Sequence, residues 1–394
     1  MSHKVYIAGV GMIPFRKPGA SETYDAMGAG AVRQALEDAG LAYNDVQQAY
    51  AGYVYGDSTC GQKALYHVGM TGIPVINVNN NCATGSSALF LARQAVQSGA
   101  VECALAVGFE FMKPGPLMSN WTDRAPALER AHKLVSELVG REDIPSAIRQ
   151  FAGAGKAHMD KYGTKLETFA KIRAKASEHA ARNPLAVFRN VVSTEDVMNA
   201  PMLWEGVITR LMACPPTCGG AAAIVVSEAF AKKRGLRTDV LIAAQSVTTD
   251  LPSTYDARDM IRVVGFDMSR LAAQQVYEEA GIGPKDIDVI ELHDCFAQNE
   301  LITYEALGLC PEGGAEKLVN DGDNTYGGQW VVNPSGGLLS KGHPLGATGL
   351  AQCYELTHQL RGTAGDRQVP GAKVALAHNV GLGGACVVTA YQSA

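Results

Sequence analysis

Val5-Tyr-Ile-Ala-Gly opens the chain as a short apolar run, and the same pattern returns at Val240-Leu-Ile-Ala-Ala. After each comes an amphipathic stretch of helical spacing that ends in Ala-Gly, at 31–40 and again at 271–281. Five residues past each glycine stands an aspartate, Asp45 and Asp286, which leads into a further strand. Ala104-Leu-Ala-Val pairs with Ala375-Leu-Ala-His, and Ala223-Ile-Val-Val-Ser with Ala385-Cys-Val-Val-Thr. Strands alternate with helices in both series and the segments keep their order. The expectation is two similar α/β halves.

The stretch 75–86 belongs to this repeat. The run Val75-Ile-Asn-Val enters Asn79-Asn80-Asn81, Cys82 follows, and after Gly85 an almost wholly apolar pattern runs to a cap at Gly99. That predicts strand, tight turn, cysteine and buried helix. A thiol at a helix N-terminus feels the positive end of the backbone dipole, which favours the thiolate. Cys82 is therefore a candidate nucleophile, although a free cysteine in such surroundings also suits a core. The repeat lays Cys82–Leu89 over His343–Leu350, with Gly85 on Gly346. A pseudo-twofold would then bring Cys82 and His343 into one cleft as a nucleophile and its base.

One segment has no counterpart. Between Lys113 and Cys214 lie helical patterns at Glu129–Leu138, Pro145–Tyr162 and Thr168–Arg182, with most of the clustered charge. The expected division is a first half of residues 1–112 and 214–236, an inserted lid or substrate-binding segment 113–213, and a second half 237–394. The first half should leave an edge strand near Ala104–Phe109, open to a second copy.

Composition narrows the function classes. Of 394 residues 47% are hydrophobic and 19% charged, with net charge −5 and no basic run, which argues against a nucleic-acid partner. No apolar run reaches membrane-spanning length. The nine cysteines show no disulfide spacing, no signal pattern precedes Val5, and Tyr391–Ala394 is not a Ser-Lys-Leu address. A cytoplasmic, reducing location is expected.

Further turns carry chemistry. A strand at 287–292 leads into His293-Asp-Cys-Phe, with a helix expected from about 298 to 307. Cys295 is a second thiol able to give or take a proton. The run Gly381–Gly384 offers unobstructed backbone N–H groups for an oxyanion hole. His293 with Cys295, and Cys214 with Cys218, lack the partners of a metal site. Cys60, Cys103, Cys310, Cys353 and Cys386 read as packing residues.

Taken together, Gly56–Gln62, Asn79–Ala83, His293–Phe296, Tyr304–Glu312 and Asn333-Pro-Ser-Gly-Gly337 through Gly349 resemble the thiolase superfamily, and within it the sterol carrier protein X type. The resemblance spans nearly the whole chain. It implies two duplicated α/β halves in a layered αβαβα core, with an inserted, mostly helical loop domain.

By this resemblance Cys82 is the acylated nucleophile, with Thr84 where a serine is common, and His343 its activating base. Most thiolases carry Asn-Glu-Ala-Phe where this chain has His293-Asp-Cys-Phe, and a Cys-x-Gly turn where it has Asn379-Val-Gly381. The second cysteine's role passes to Cys295, and His293 takes the oxyanion-binding role of the missing asparagine. Gly381, Asn379 and the Cys82 backbone complete the oxyanion groups. Gly219 replaces an expected aspartate.

The implied activity is CoA-dependent cleavage of 3-oxoacyl-CoA to acetyl-CoA or propionyl-CoA and a shortened acyl-CoA. CoA is a substrate, no metal or other cofactor is expected, and a homodimer is. The alternatives are a retro-aldolase acting on steroid side-chain CoA esters and a non-catalytic acyl-CoA or lipid-binding protein. Lipid carriage is not expected of a chain ending at Ala394.

Overall fold

The computed structural model describes residues 3–119 and 121–394. Ten strands form the core: β1 (Val5–Met12), β2 (Gln48–Gly52), β3 (Val75–Val78), β4 (Cys103–Glu110), β5 (Gly219–Ser227), β6 (Val240–Thr248), β7 (Val289–Glu291), β8 (Val331–Val332), β9 (Val374–Gly381) and β10 (Ala385–Ser393). Outward from the middle, the first half runs β1-β5-β4-β2-β3 and the second β6-β10-β9-β7-β8. A single antiparallel pair, Tyr6 with Leu241, joins the two halves of the sheet. β1, β4 and β5 are buried along their whole length, so they read as unbroken apolar runs rather than alternating ones.

The principal helices are α1 (Tyr24–Ala39), α2 (Thr84–Gln97), α3 (Glu129–Val139), α4 (Ser146–Tyr162), α5 (Leu166–Ala181), α6 (Phe266–Ala280), α7 (Ala297–Ala306) and α8 (Thr348–Arg361). α2 and α8 pack on each other and touch strands of both halves, forming the middle layer. α1 and α6 cover the outer faces. The thiolase-type αβαβα layering is thus present. Among the described residues no helix is long and apolar enough to cross a membrane.

The duplication extends to backbone detail. Gly40 and Gly281 cap α1 and α6 in the left-handed conformation, at φ 67° and 65°. Beyond them Asp45 Oδ2 accepts from Ala42 N at 3.1 Å and Asp286 Oδ2 from Gly283 N at 2.7 Å. Val5 pairs with Ser227 and Val240 with Ser393, and a β-bulge interrupts both ladders, at Ala8 and at Ala243.

Two registers differ from the sequence alignment. Both middle helices begin at a Thr-Gly pair, which sets Thr84 on Thr348 and hence Cys82 on Gly346 rather than His343. Pairing with β4 and β9 likewise sets Gly219, not Ala223, on Ala385. Runs of alanine and valine are self-similar, so the pattern alone leaves their register free.

The expected edge strand is also corrected. β4 lies between β5 and β2, and the free edges are β3 and β8. The segment between β4 and β5 leaves the first half yet packs on the second, where α4 and α5 rest against α7.

Candidate active site

The Cys82 turn is built by polar side chains. Asn81 adopts φ 51°, a conformation asparagine tolerates. Asn79 Oδ1 accepts from Asn81 N at 3.0 Å, and Thr84 Oγ1 accepts from Asn80 N at 2.8 Å. Asn81 Nδ2 donates to the Leu382 carbonyl at 3.1 Å, tying the turn to the second half. Gly381 is required here, because a Cβ would strike the Asn80 carbonyl. Cys82 emerges buried, just ahead of α2.

His343 lies at the end of a loop held by acids on and beyond β7. Glu291 accepts from Ser335 N at 3.0 Å, Ser335 Oγ at 2.7 Å and Lys341 Nζ at 3.0 Å. Asp294 accepts from Leu338 N at 2.7 Å, and Asn333 Oδ1 from Leu292 N at 2.8 Å. His293 and His343 are thereby locked together, their rings edge-on with centroids 5.0 Å apart. The Cys82 sulfur and a ring nitrogen of each histidine all lie within 4.8 Å of one another.

The outer hydrogen bonds assign different protons to the two rings. His343 Nδ1 lies 2.7 Å from Thr348 Oγ1, whose own proton goes to the Pro344 carbonyl at 3.0 Å. Nδ1 therefore carries the proton, and Nε2 is a bare, buried acceptor without a partner. His293 Nδ1 instead accepts from Asn379 Nδ2 at 3.0 Å, while Ser86 Oγ donates to Asn379 Oδ1 at 3.1 Å. That leaves His293 with its proton on Nε2. One ring can take a proton and the other can donate a hydrogen bond.

Electrostatics keep the resting site neutral. Burial first, then the Glu110 carboxylate, pushes the Cys82 thiol up to about 12. Backbone N–H groups of Cys82 and Leu382 pull the other way. Burial here outweighs the helix terminus, which by itself favours the thiolate. Burial, with Lys341, holds His343 down to about 3. His293 is lowered by burial and then by His343 and His378. Burial pushes Cys295 upward, helped by Cys214, Cys82 and Asp294.

Residues 5–197 match the thiolase N-terminal domain, and residues 251–391 the thiolase C-terminal domain-like family. The chain belongs to the thiolase family. It is 56% identical over 393 residues to human sterol carrier protein 2, covering 99% of this chain and 72% of that protein. Among solved structures, the Ltp2–ChsH2(DUF35) aldolase aligns with TM-score 0.84 at 23% identity, over 99% of this chain and 98% of that one. Human mitochondrial 3-ketoacyl-CoA thiolase in complex with CoA aligns with TM-score 0.75 at 19% identity, over 100% and 98%. At those identities the structural likeness speaks for the fold.

In this chain Cys82, His293, Cys295 and His343 all line one cavity of about 740 Å³. Most of the remaining wall is apolar, with Phe151, Leu203 and Leu211 supplied by the segment before β5. Cys295 is clamped by its carbonyl, which accepts from Cys214 N at 2.9 Å. Asn379 is fully buried with its amide committed to His293 and Ser86, and Leu382 rather than Gly381 reaches the cavity wall.

Cys214 and Cys218 part company: Cys214 faces the cavity, whereas Cys218 donates to the Met112 carbonyl at 3.5 Å. The only metal-like cluster among the described residues is the Cys82–His293–His343 trio itself. Gly219 sits against the Phe15 ring, which fills the space of an aspartate side chain. Cys60, Cys103, Cys353 and Cys386 are buried and Cys310 partly so, all as free thiols.

Sequence reasoning missed Glu110 and Thr348. Glu110 ends β4 and accepts from Val54 N, Tyr55 N and Gly346 N, each at 3.0 Å, so it ties the turn beyond His343 to the first half. Burial nonetheless pushes it up to about 7. A lone acid closing an apolar strand was its visible signal.

Proposed function

We propose that this chain is a 3-oxoacyl-CoA thiolase, cleaving its substrate with free CoA. The supporting observation is the complementary protonation of His343 and His293 around the Cys82 sulfur, with Cys295 in the same cavity. His343 Nε2 takes the Cys82 proton and the sulfur attacks the 3-oxo carbon. The resulting alkoxide sits beside the backbone N–H groups of Cys82 and Leu382. Its collapse breaks the bond between C2 and C3 and leaves an acyl group on Cys82. The departing enolate rests its thioester oxygen on His293 Nε2–H, and the Cys295 thiol protonates C2. The Cys295 thiolate then takes the proton of incoming CoA, whose sulfur attacks the acyl-cysteine. Cys82 leaves as thiolate and recovers its proton from His343. The covalent stage replaces one hard step by two easier ones.

CoA enters, on this reading, past the segment 113–213, where exposed Arg210 lines the cavity and suits a phosphate. The size and apolar wall of the cavity favour long or branched acyl groups, including a 2-methyl branch that would yield propionyl-CoA. A homodimer would form through the free edge of β3, and nine free cysteines suit a reducing compartment such as the cytoplasm.

The second reading is retro-aldol cleavage of a steroid side-chain CoA ester, which needs no free CoA; the Ltp2–ChsH2(DUF35) aldolase shares the fold and so shows that this scaffold can carry an aldolase. The deciding assay offers the protein 3-oxoacyl-CoA and 3-hydroxyacyl-CoA esters with and without CoA. Cleavage of the 3-oxo ester that requires CoA supports the thiolase. CoA-independent cleavage of the hydroxy ester supports the aldolase, and binding without turnover of either supports a non-catalytic carrier.

A further inference from the structure

The mechanism leaves one thiol of the cavity unused. Cys214 belongs to a short stretch, 213–216, that touches both turns of the site: Ala213 pairs antiparallel with Phe296, and Pro216 pairs parallel with His343. Pro215 disfavours a helical backbone at the residue before it. The antiparallel register that sets Ala213 opposite Phe296 sets Cys214 opposite Cys295, and Cys214 N donates to the Cys295 carbonyl at 2.9 Å. Residues directly opposite one another in such a pair project to the same face. Both cysteines line the one cavity, as that rule requires. Of the ionisable neighbours that act on Cys295, Cys214 ranks ahead of Cys82 and Asp294. Cys218, the next cysteine along, is tied instead to the Met112 carbonyl.

Two thiols so placed can be joined. An antiparallel pair linked by N–H···O bonds holds its Cα atoms about 5.5 Å apart, within the roughly 4.4–6.8 Å that disulfides span. Its Cβ atoms stand about 5 Å apart, wider than the roughly 3.8 Å of a relaxed disulfide, so a bridge here is easily reduced again. Cys295 is also the thiol that gives its proton to C2 and so becomes a thiolate within each cycle. Burial keeps the resting thiol protonated. The thiolate of the working cycle is therefore the form that reacts with an oxidant.

We infer that a peroxide converts Cys214 and Cys295 into a reversible disulfide, with Cys214 as the resolving thiol. The Cys295 thiolate attacks one peroxide oxygen, the O–O bond breaks, and hydroxide leaves with the electron pair, giving a sulfenic acid on Cys295. The Cys214 sulfur then attacks the Cys295 sulfur, and the displaced hydroxyl leaves with the Cys214 proton as water. The two sulfurs together lose two electrons, and the peroxide takes them up. The pairing stands on the geometry above; only the source of the thiolate rests on the thiolase reading. Cys82 stays out of the bond, so the modification silences proton transfer at C2 and spares acyl transfer.

The test is to expose the wild-type protein to hydrogen peroxide with and without a 3-oxoacyl-CoA, block remaining thiols, and map disulfides by mass spectrometry without reduction. A Cys214–Cys295 cross-link should appear, sooner with the ester present, and dithiothreitol should remove it. The cross-linked protein should still take acetyl from acetyl-CoA on Cys82, while 3-oxoacyl-CoA cleavage falls by about 10²–10⁴ and returns on reduction. In Cys214→Ser the sulfenic acid has no resolving thiol, so Cys295 should pass to the sulfinic acid and reduction should no longer restore activity. A cross-link of Cys295 to Cys82 with Cys214 free overturns the inference, as does oxidation of Cys295 with no disulfide. The wild-type map needs no substitution, so it decides even if Cys214→Ser fails to fold. A Cys214–Cys295 cross-link that forms equally fast without the ester, in a protein that cleaves none, would refute the thiolase reading and leave this inference standing.

Discussion

Thr348 Oγ1 and His343 Nδ1 lie 2.7 Å apart, and the hydroxyl can only accept, because its proton is given to the Pro344 carbonyl. This one contact leaves His343 Nε2, on the side of Cys82, without a proton. Asn379 has the opposite effect on His293, donating to Nδ1 at 3.0 Å and leaving the proton on the other nitrogen.

Thr348→Val keeps the shape and removes the acceptor, so His343 loses the preference for a bare Nε2. The loss should take a substantial part of the general-base contribution, about 10–10³-fold in kcat. Alkylation of Cys82 by iodoacetamide at neutral pH should slow in parallel, with the circular dichroism unchanged. Normal alkylation with impaired turnover would mean that Thr348 acts elsewhere.

The two cysteines should fail at different steps. Cys82→Ala removes the atom that bonds the acyl group, so intact-mass analysis after acetyl-CoA should find no adduct. Cys295→Ala keeps Cys82 and His343 and should still gain an acetyl group, while turnover of a 3-oxoacyl-CoA falls by about 10²–10⁴. An acetyl group mapped to Cys295 in the wild type, or full turnover without Cys295, would reverse the roles.

Glu110 should leave a signature in stability against pH. Its folded pKa of about 7 stands above the ordinary 4.5, so its protonated form stabilises the fold below pH 4.5. That contribution is lost as pH rises through 7, by on the order of 3 kcal/mol. Glu110→Gln does not titrate. The stability of wild type minus variant should therefore fall between pH 4.5 and 7.5 in urea melts. A flat difference would show that Glu110 is ionised throughout.

The free edge of β3 should be covered by a second copy. Light scattering at micromolar concentration should give a mass well above the 41.6 kDa of one chain. A monomer would leave the exposed edge to be explained another way.

Much of this architecture is legible in the sequence because duplicated packing leaves duplicated patterns. Gly40 with Asp45 and Gly281 with Asp286 are spaced alike because each pair ends a helix and caps the next turn. The register of α8 and β10 was not legible, since alanine-rich runs look the same when slid along themselves. The thiols and imidazoles of the site stand out as residue types. Their protonation does not, since it depends on Thr348, Asn379 and Glu110, which come together only in three dimensions. The protonation of Cys82 is hidden for the same reason: a helix terminus can be read from sequence, and full burial beside an acid cannot.

The pairing of Cys82 with Gly346 bears on ancestry. An ancestor made of two identical halves would have carried the same residue at both places, and this chain carries a sulfur at only one. At the other, a Cβ on Gly346 would come within 2.7 Å of the Gly52 carbonyl and nearer still to that of Phe109. No single replacement can therefore restore a nucleophile to the second half without forcing the two backbones apart. The asymmetry therefore works as a ratchet: the close contact at Gly346 that helps hold the two halves together is also what bars a twin site there.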